Sequence, residues 1–222
     1  KEMLQEVGAI GALAIVSMIV FQLGAPTLFD WPLTLKIILV LVISILFGLY
    51  TKSLGQPLFI ILLLIMIPLA TTELGTDSWI TDLMAPAMNE LGMQAGWVLV
   101  YTSAIMFILR FFAGPLVHKF SPLGLLAICS VIAALGLYLL SASAGVMILI
   151  AATIYGLGKT FFWPTMLGVV AERFPKGGAL TLNITGGMGM IAAGVIGAGV
   201  LGFIQDKSVD AKIAEYDKTN NT

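Results

Sequence analysis

The sequence predicts an all-α, polytopic membrane protein with about seven transmembrane helices. Hydrophobic residues make up 59% of the 222 residues and charged residues only 10%, with a mean hydropathy of +1.04. An ordinary soluble domain has roughly 25% charged residues. Apolar segments of the length that a membrane-spanning helix needs, about 20 residues, alternate with short polar turns. The seven segments are residues 7–25, 33–51, 57–84, 95–114, 122–142, 145–171 and 179–205.

The composition also excludes several classes of function. The net charge is -1 and no run of basic residues is present, which argues against nucleic-acid binding. Cys129 is the single cysteine and His118 the single histidine, so neither an internal disulfide nor a Cys/His metal site is expected. No Gly-x-x-x-x-Gly-Lys-(Ser/Thr) loop for ATP is present. We therefore expect no cofactor, no metal and no nucleic-acid partner, and a lipid bilayer as the surroundings.

The connections between the segments predict the orientation of the chain. Alternation places one set of basic residues on the same side, which the positive-inside rule makes cytoplasmic: Lys1, Lys52, Arg110, Lys119, Arg173 and Lys176. The other side carries Asp30, Lys36, and then Asp77, Asp82 and Glu90 in a long connection after the third segment. This orientation predicts a cell-membrane protein with a cytoplasmic N-terminus and a polar tail, residues 206–222, outside. The tail reads either as a loop that leads to a further span or as a frayed helical terminus.

The third segment runs without a clear stop signal into polar residues. Counting about 20 residues from Pro57 places Thr71, Thr72 and Glu73 inside the bilayer or just beneath its surface. An ionisable group at that depth costs roughly 3 kcal/mol or more and usually faces the bundle interior or a water-filled cavity. Glu73 is therefore a candidate proton-coupling acid. The alternative is that Glu73 begins an outer loop.

Lys159 is the second ionisable residue predicted deep in the membrane. It lies roughly 20 Å into its segment when counted from Val146 at about 1.5 Å per residue. A lysine there must pair, lose its proton or face an aqueous path. The hypothesis is that Glu73 and Lys159 both face a central cavity, with Lys159 as a charge partner or an anion-binding group. The sequence does not decide whether Glu73 and Lys159 form a direct ion pair. Lys159 could instead extend towards water along its aliphatic stem or begin a broken segment.

Three uncharged residues are further site candidates, two for solute contact and one for a helix kink. Trp163 stands one turn beyond Lys159, where its indole could stack on a sugar ring or gate a path, or simply pack against a neighbouring helix. Pro164 removes a backbone donor and predicts a kink. Asn183 in the last segment could bind solute hydroxyls or bond to a neighbouring helix.

The connection between the fourth and fifth segments carries a motif. It reads Arg110-Phe111-Phe112-Ala113-Gly114-Pro115-Leu116-Val117-His118-Lys119. This pattern resembles the cytoplasmic loop signature of the major facilitator superfamily, in which an Arg one turn before a Gly is followed by Gly-x-Leu-x-Asp-(Arg/Lys). The resemblance implies a gating loop: Gly114 would permit a tight turn, and Arg110 and Lys119 would anchor it at the cytoplasmic face. His118 stands where the family has an acid.

Two further stretches resemble the same family. Residues 154–175, with paired glycines, Trp163-Pro164-Thr165 and a Glu-Arg-Phe-Pro exit, are similar to the tenth helix of such transporters. Residues Glu73, Gly75, Ser78 and Trp79 are similar to the seventh helix of the fucose/proton symporter-like sugar branch. The resemblance implies that residues 53–205 are a second-half bundle, helices seven to eleven of twelve, whose first half is missing. Residues 1–52 would then be an inserted helix pair or helices five and six of the first half.

The resemblance implies a secondary active transporter that moves a small polar organic solute, with sugar as the weakly favoured choice, by alternating access and with proton coupling. A non-catalytic scaffold or channel subunit is the alternative, although a scaffold gains nothing from two charges in the membrane. A membrane-embedded enzyme is less compatible with the sequence, because His118 and Lys119 alone do not supply a catalytic constellation. The expectation is therefore that the protein is not an enzyme.

Overall fold

The computed structural model describes residues 2–143 and 145–220, apart from the side chains of Val117, His118, Asp217, Thr219 and Asn220. In these residues the chain forms α-helices joined by short turns and, at two places, by a π-helical turn. The helices are α1 (Glu2–Leu23), α2 (Leu33–Thr51), α3 (Pro57–Ala70), α4 (Thr76–Glu90), α5 (Trp97–Arg110), α6 (Ala113–Lys119), α7 (Pro122–Ala142), α8 (Met147–Lys159), α9 (Phe162–Arg173), α10 (Gly178–Ile191) and α11 (Ala198–Asn220).

The predicted all-α membrane fold is confirmed. Within the described residues, 6 helical runs are long and apolar enough to cross a membrane. The fourth predicted segment differs from the others, because α5 has only 14 residues and is followed, after Phe111 and Phe112, by the 7-residue α6. The seven predicted segments are thus all helical, and the fourth consists of a shorter helix followed by a separate short helix.

The third segment is longer than predicted. The π-helical turn Thr71–Gly75 joins α3 to α4, so that helix continues from Pro57 to Glu90. The expectation of a long outer connection carrying Asp77, Asp82 and Glu90 was wrong. The physical reason is that α4 has an apolar face of its own: Ile80 and Met88, eight residues apart on one side, are both buried in the core.

The last segment also continues beyond its predicted end. The π-helical turn Ala192–Gly197 joins α10 to α11, and α11 extends to Asn220. Residues 206–220 of the polar tail are therefore a regular extension of this helix and not a loop. No Gly or Pro follows Gly202, and the residues from Val209 to Tyr216 are mostly compatible with a helix.

The pair α7 and α8 forms a close helix crossing. Gly136 of α7 lies directly against the backbone of Tyr155, and Gly158 of α8 lies against the backbone of Ala133. At either glycine a Cβ atom would overlap the facing backbone, so both positions require glycine for this approach. The crossing fixes the part of α8 that carries Tyr155 and Lys159.

The hairpin α1–α2 packs on the rest of the bundle through α10 and α3. Its anchor is an interruption of α1 at Gly8, where φ is 58°, and the backbone there touches Gly55. The amides of Ala9 and Ile10 donate to the carbonyls of Ser53 and Leu54 at 3.0 and 3.1 Å. The assignment of residues 1–52 as a unit separate from residues 53–205 stays a prediction.

Candidate functional site

Four interruptions of regular helix are linked in the bundle, two by direct packing and two through the side chain of Arg110. They are the π-helical turn Thr71–Gly75, the break at Phe111 and Phe112, the break at Thr160 and Phe161, and the π-helical turn Ala192–Gly197. The two π-helical turns pack on each other, with Gly197 beside the side chain of Thr71. Irregular backbone at membrane depth is tolerated where it is buried in protein or lines a cavity, and π-helical turns are frequent at functional sites.

An ion pair joins the first of these interruptions to the second. Glu73, in the π-helical turn, accepts a hydrogen bond from Nη2 of Arg110, the last residue of α5, at 2.9 Å. The side chain of Glu73 is only 3% exposed, whereas that of Arg110 is 44% exposed. The second carboxylate oxygen of Glu73, Oε2, is buried and has no hydrogen-bond partner. This pair therefore contains one desolvated anion and one partly accessible cation.

Arg110 also connects to the third interruption, between α8 and α9. Its Nε donates to the carbonyl oxygen of Thr160 at 3.3 Å. In a continuous helix that carbonyl would accept the amide of residue 164, but Pro164 has no N–H to donate. The proline thus leaves a free acceptor, and the guanidinium of Arg110 takes it.

A second ion pair lies beside the first. Nζ of Lys159 contacts Oδ1 of Asp77, with the lysine side chain 0% and the aspartate side chain 19% exposed. Nζ also lies 4.9 Å from the ring centre of Tyr155, whose hydroxyl donates to the carbonyl of Thr72 at 2.6 Å. These contacts hold Lys159 against the π-helical turn. An ammonium buried so completely depends on its partner, because removal of one member of a buried pair leaves an uncompensated charge.

The partners of the charged residues differ from those expected. Glu73 and Lys159 do not pair directly, since each has a different partner of opposite charge. Arg110 was predicted to anchor a loop at the cytoplasmic face, and it instead reaches the buried Glu73. The depth of the residue explains this: Arg110 lies about 20 Å along α5 from Trp97, similar to the roughly 18 Å that separate Lys159 from Met147 along α8.

The remaining residues of the predicted gating loop lie apart from the ion pairs. Gly114 is the second residue of α6 and lies within a helix, so the expected turn falls earlier, at Phe111 and Phe112. Lys119 ends α6, with Nζ 5.9 Å from the ring centre of Phe120. The side chain of His118 lies outside the described part of the structure. A gating role for this loop stays a prediction.

Two cavities open beside the ion pairs, and Arg110 lines both of them. The first has a volume of about 490 Å³ and is lined by Glu73, Leu74, Arg110, Trp163, Pro164, Leu167 and Met190. The second has a volume of about 430 Å³ and is lined by Asp77, Ser103, Met106, Phe107, Arg110 and Phe111. Each cavity therefore has one carboxylate, the shared guanidinium and an apolar wall.

Trp163 and Asn183 take different positions relative to these cavities. Trp163 lines the first cavity, and its ring also packs beside Gly189 of α10. The position thus combines the two roles considered for this residue, contact with a solute and packing against a helix. Asn183 is exposed on α10, seven residues from Met190 and so on the same helix face, but it is not part of the described cavity lining.

Sequence reasoning missed three residues of this cluster, and each stands one helical turn from a residue that was found. Asp77 follows Glu73 by four positions, Tyr155 precedes Lys159 by four, and Thr160 precedes Pro164 by four. Residues at this spacing lie on the same helix face. Testing the polar residues one turn away from each candidate would have identified all three.

Comparison with known proteins gives the family. A family model described as Major Facilitator Superfamily matches residues 69–207. The matched region contains both ion pairs and all four helix interruptions. No curated protein and no solved structure matches the chain at a significant level. Because the family model covers more than half of the sequence and the fold is an apolar helical bundle, the chain belongs to the major facilitator superfamily, whose members are membrane transporters.

Proposed function

We propose that the protein is a secondary active transporter that moves a small polar organic solute by alternating access, with proton coupling through Glu73. The observation that carries this proposal is a buried carboxylate at a helix interruption, with one oxygen unpartnered and the other bonded to an arginine that lines a cavity. In secondary transporters, solute and ion sites are typically formed by discontinuous helices near the membrane midplane.

Glu73 is a better proton-coupling group than Asp77 because its partner can leave. Arg110 is 44% exposed and borders two cavities, so its guanidinium has room to turn away from Glu73. Glu73 would then be a buried carboxylate without a counter-ion, which favours uptake of a proton. Lys159 is 0% exposed, and leaving Asp77 would strand its charge. We therefore call Glu73–Arg110 the exchangeable pair and Asp77–Lys159 the fixed pair.

The proposal includes the setting in which this part of the chain works. We propose, from the basic residues in the connections, that the ends of α2 and α9 lie at the cytoplasmic face of the cell membrane, with the N-terminus on the same side and the end of α11 outside. The opposite wall of the cavity would come from a first half of the transporter. Lipid, solute and protons are the partners proposed, and no catalytic step is needed.

Reconstitution of the full-length protein in liposomes with an internal pH-sensitive dye tests this function. A panel of sugars, polyols, amino acids and organic acids is added outside, and we expect at least one solute to drive proton movement. Glu73→Gln, which keeps the size of the side chain but cannot release a proton, is expected to abolish the solute-driven proton signal. Lys159→Ala is expected to abolish it as well, because the fixed pair holds the site together.

The matched control is Glu172→Gln, a change of an exposed glutamate in the last turn of α9, and it is expected to transport like the unchanged protein. Transport close to the unchanged level in both Glu73→Gln and Lys159→Ala would remove these residues from the mechanism. Solute flux without any proton movement would instead favour a channel or a uniporter.

A further inference from the structure

We infer that the solute is an amphipathic monocarboxylate, whose carboxylate binds the guanidinium of Arg110 while its apolar body lies against the cavity walls. This inference rests on the proposed transport function and names the class of solute for the same site. It uses three observations: the unused donors of Arg110, the two protein contacts that orient its guanidinium in the paired state, and the scarcity of uncharged polar groups in the two described cavity linings.

The guanidinium of Arg110 has donors left for a ligand. A guanidinium carries five N–H groups, and the two hydrogen bonds described for Arg110 go from Nε to Thr160 and from Nη2 to Glu73. The side chain is 44% exposed and lines both cavities. Two parallel N–H donors match a carboxylate in geometry and charge.

While Arg110 is paired with Glu73, two protein contacts orient its guanidinium. The free carbonyl of Thr160 holds one edge and Glu73 holds another, at 3.3 and 2.9 Å. A ligand that binds a group already held in place loses less conformational entropy than one that must immobilise a free side chain. Arg110 therefore differs from an arginine on an open surface, and the arrangement is suited to selective anion binding.

The cavity walls favour an apolar body on the solute. Apart from Glu73 and Arg110, the first cavity is lined by Leu74, Trp163, Pro164, Leu167 and Met190. In the described lining of the second cavity, Ser103 is the residue with an uncharged hydroxyl group. A sugar exposes hydroxyl groups around its whole ring, and each one that is buried needs a hydrogen-bond partner. The walls that the described residues supply suit a solute with one carboxylate and a largely apolar remainder better than they suit a sugar.

Chemical protection of Arg110 tests the inference directly. The full-length protein in lipid nanodiscs is treated with phenylglyoxal, which modifies guanidinium groups, and the modified sites are quantified by mass spectrometry. Benzoate is the probe, benzyl alcohol is the uncharged probe of matched shape, and glucose represents sugars. We expect benzoate to slow modification of Arg110 about tenfold, as a hydrogen-bonded carboxylate on the guanidinium would. Benzyl alcohol and glucose are expected to leave the rate unchanged.

The sequence provides an internal reference for this experiment. Arg110 and Arg173 are the only arginines in it, and Arg173 is exposed in the last turn of α9, away from both described cavities. Its modification should be the same with and without benzoate. A fall in reactivity at both arginines would indicate inhibition of the reagent and would count against the inference.

Two variants distinguish the effect of the paired N–H donors of Arg110 from the effect of its positive charge. Arg110→Lys keeps the charge but loses the paired donors, and calorimetric affinity for benzoate is expected to fall about tenfold. The double variant Glu73→Gln/Arg110→Gln removes both charges together, so no buried carboxylate is stranded, and benzoate binding should be lost while circular dichroism still shows the helical content. Arg173→Gln should bind benzoate like the unchanged protein.

The outcomes distinguish this inference from the transport function itself. Equal protection of Arg110 by benzyl alcohol or glucose, or no protection by benzoate, overturns the monocarboxylate assignment. Proton-coupled glucose uptake in the liposome experiment, combined with no protection by benzoate, would overturn the solute class and leave the transporter in place. Protection by benzoate without solute-driven proton movement for any solute would support the binding site and reject proton-coupled transport.

Discussion

Replacement of Asp77 by alanine is expected to lower the free energy of unfolding by about 3–5 kcal/mol, the usual effect of removing one partner from a buried ion pair. The reason is the position of Lys159, which is 0% exposed and whose counter-ion is Asp77. Glu73 is paired with Arg110 and not with Lys159 in this structure. Thermal and denaturant unfolding in nanodiscs, followed by circular dichroism, measures the change.

Removal of both charges is the matched control for this prediction. Asp77→Ala/Lys159→Met should recover most of the lost stability, because an apolar pair of similar volume is often as stable as a buried ion pair. Asp82→Ala changes an exposed aspartate of the same helix and is expected to stay within about 0.5 kcal/mol of the unchanged protein. Equal free energies of unfolding for Asp77→Ala and Asp82→Ala would contradict a stabilising role for the fixed pair.

Substitution at the crossing of α7 and α8 is expected to have the second large effect. In Gly158→Ala the new methyl group meets the backbone of Ala133, and in Gly136→Ala it meets the backbone of Tyr155. Because a backbone cannot give way as a flexible side chain can, the helices must separate, at a cost of about 1–3 kcal/mol or more. Separation also moves Lys159, so transport should fall together with stability.

Gly168→Ala provides the comparison at a glycine with space around it. An added Cβ at Gly168 meets nothing within 4 Å, and the residue lies inside α9. Alanine is the better helix former by roughly 1 kcal/mol, so this variant should be neutral or slightly more stable. If Gly158→Ala and Gly168→Ala have the same free energy of unfolding, α7 and α8 are not in backbone contact at this crossing.

The sequence alone was sufficient to predict the helices, but it did not predict the partners of the charged residues. Hydropathy marks the spans directly. Counting residues predicts that Glu73 and Lys159 lie inside the membrane, and the structure buries both side chains within the helical bundle. Which residues form ion pairs depends on how the helices pack, and the hydrophobic periodicity of a sequence does not show how helices pack. Asp77 was assigned to an outer connection because an acid after a long apolar run resembles a loop, whereas α4 continues the helix and turns Asp77 towards Lys159.

The four helix interruptions differ in how far they can be predicted. Pro164 signals a break chemically, because it removes the amide that Thr160 would need. The π-helical turns have no comparable signal, and they occur where Gly197 packs against Thr71, a contact between segments far apart in sequence. Arg110 was placed at the surface because the positive-inside rule indicates the side of the membrane, and that rule does not indicate depth.

The cancelling charges of the two ion pairs have a consequence for the energetics of transport. One elementary charge moved across the membrane potential changes the free energy by about 2.3 kcal/mol per 100 mV. Glu73, Asp77, Arg110 and Lys159 together carry no net charge when both pairs are formed. The unloaded carrier should therefore reorient at a rate that is insensitive to voltage, and a monoanion that enters with one proton would keep the loaded cycle electroneutral.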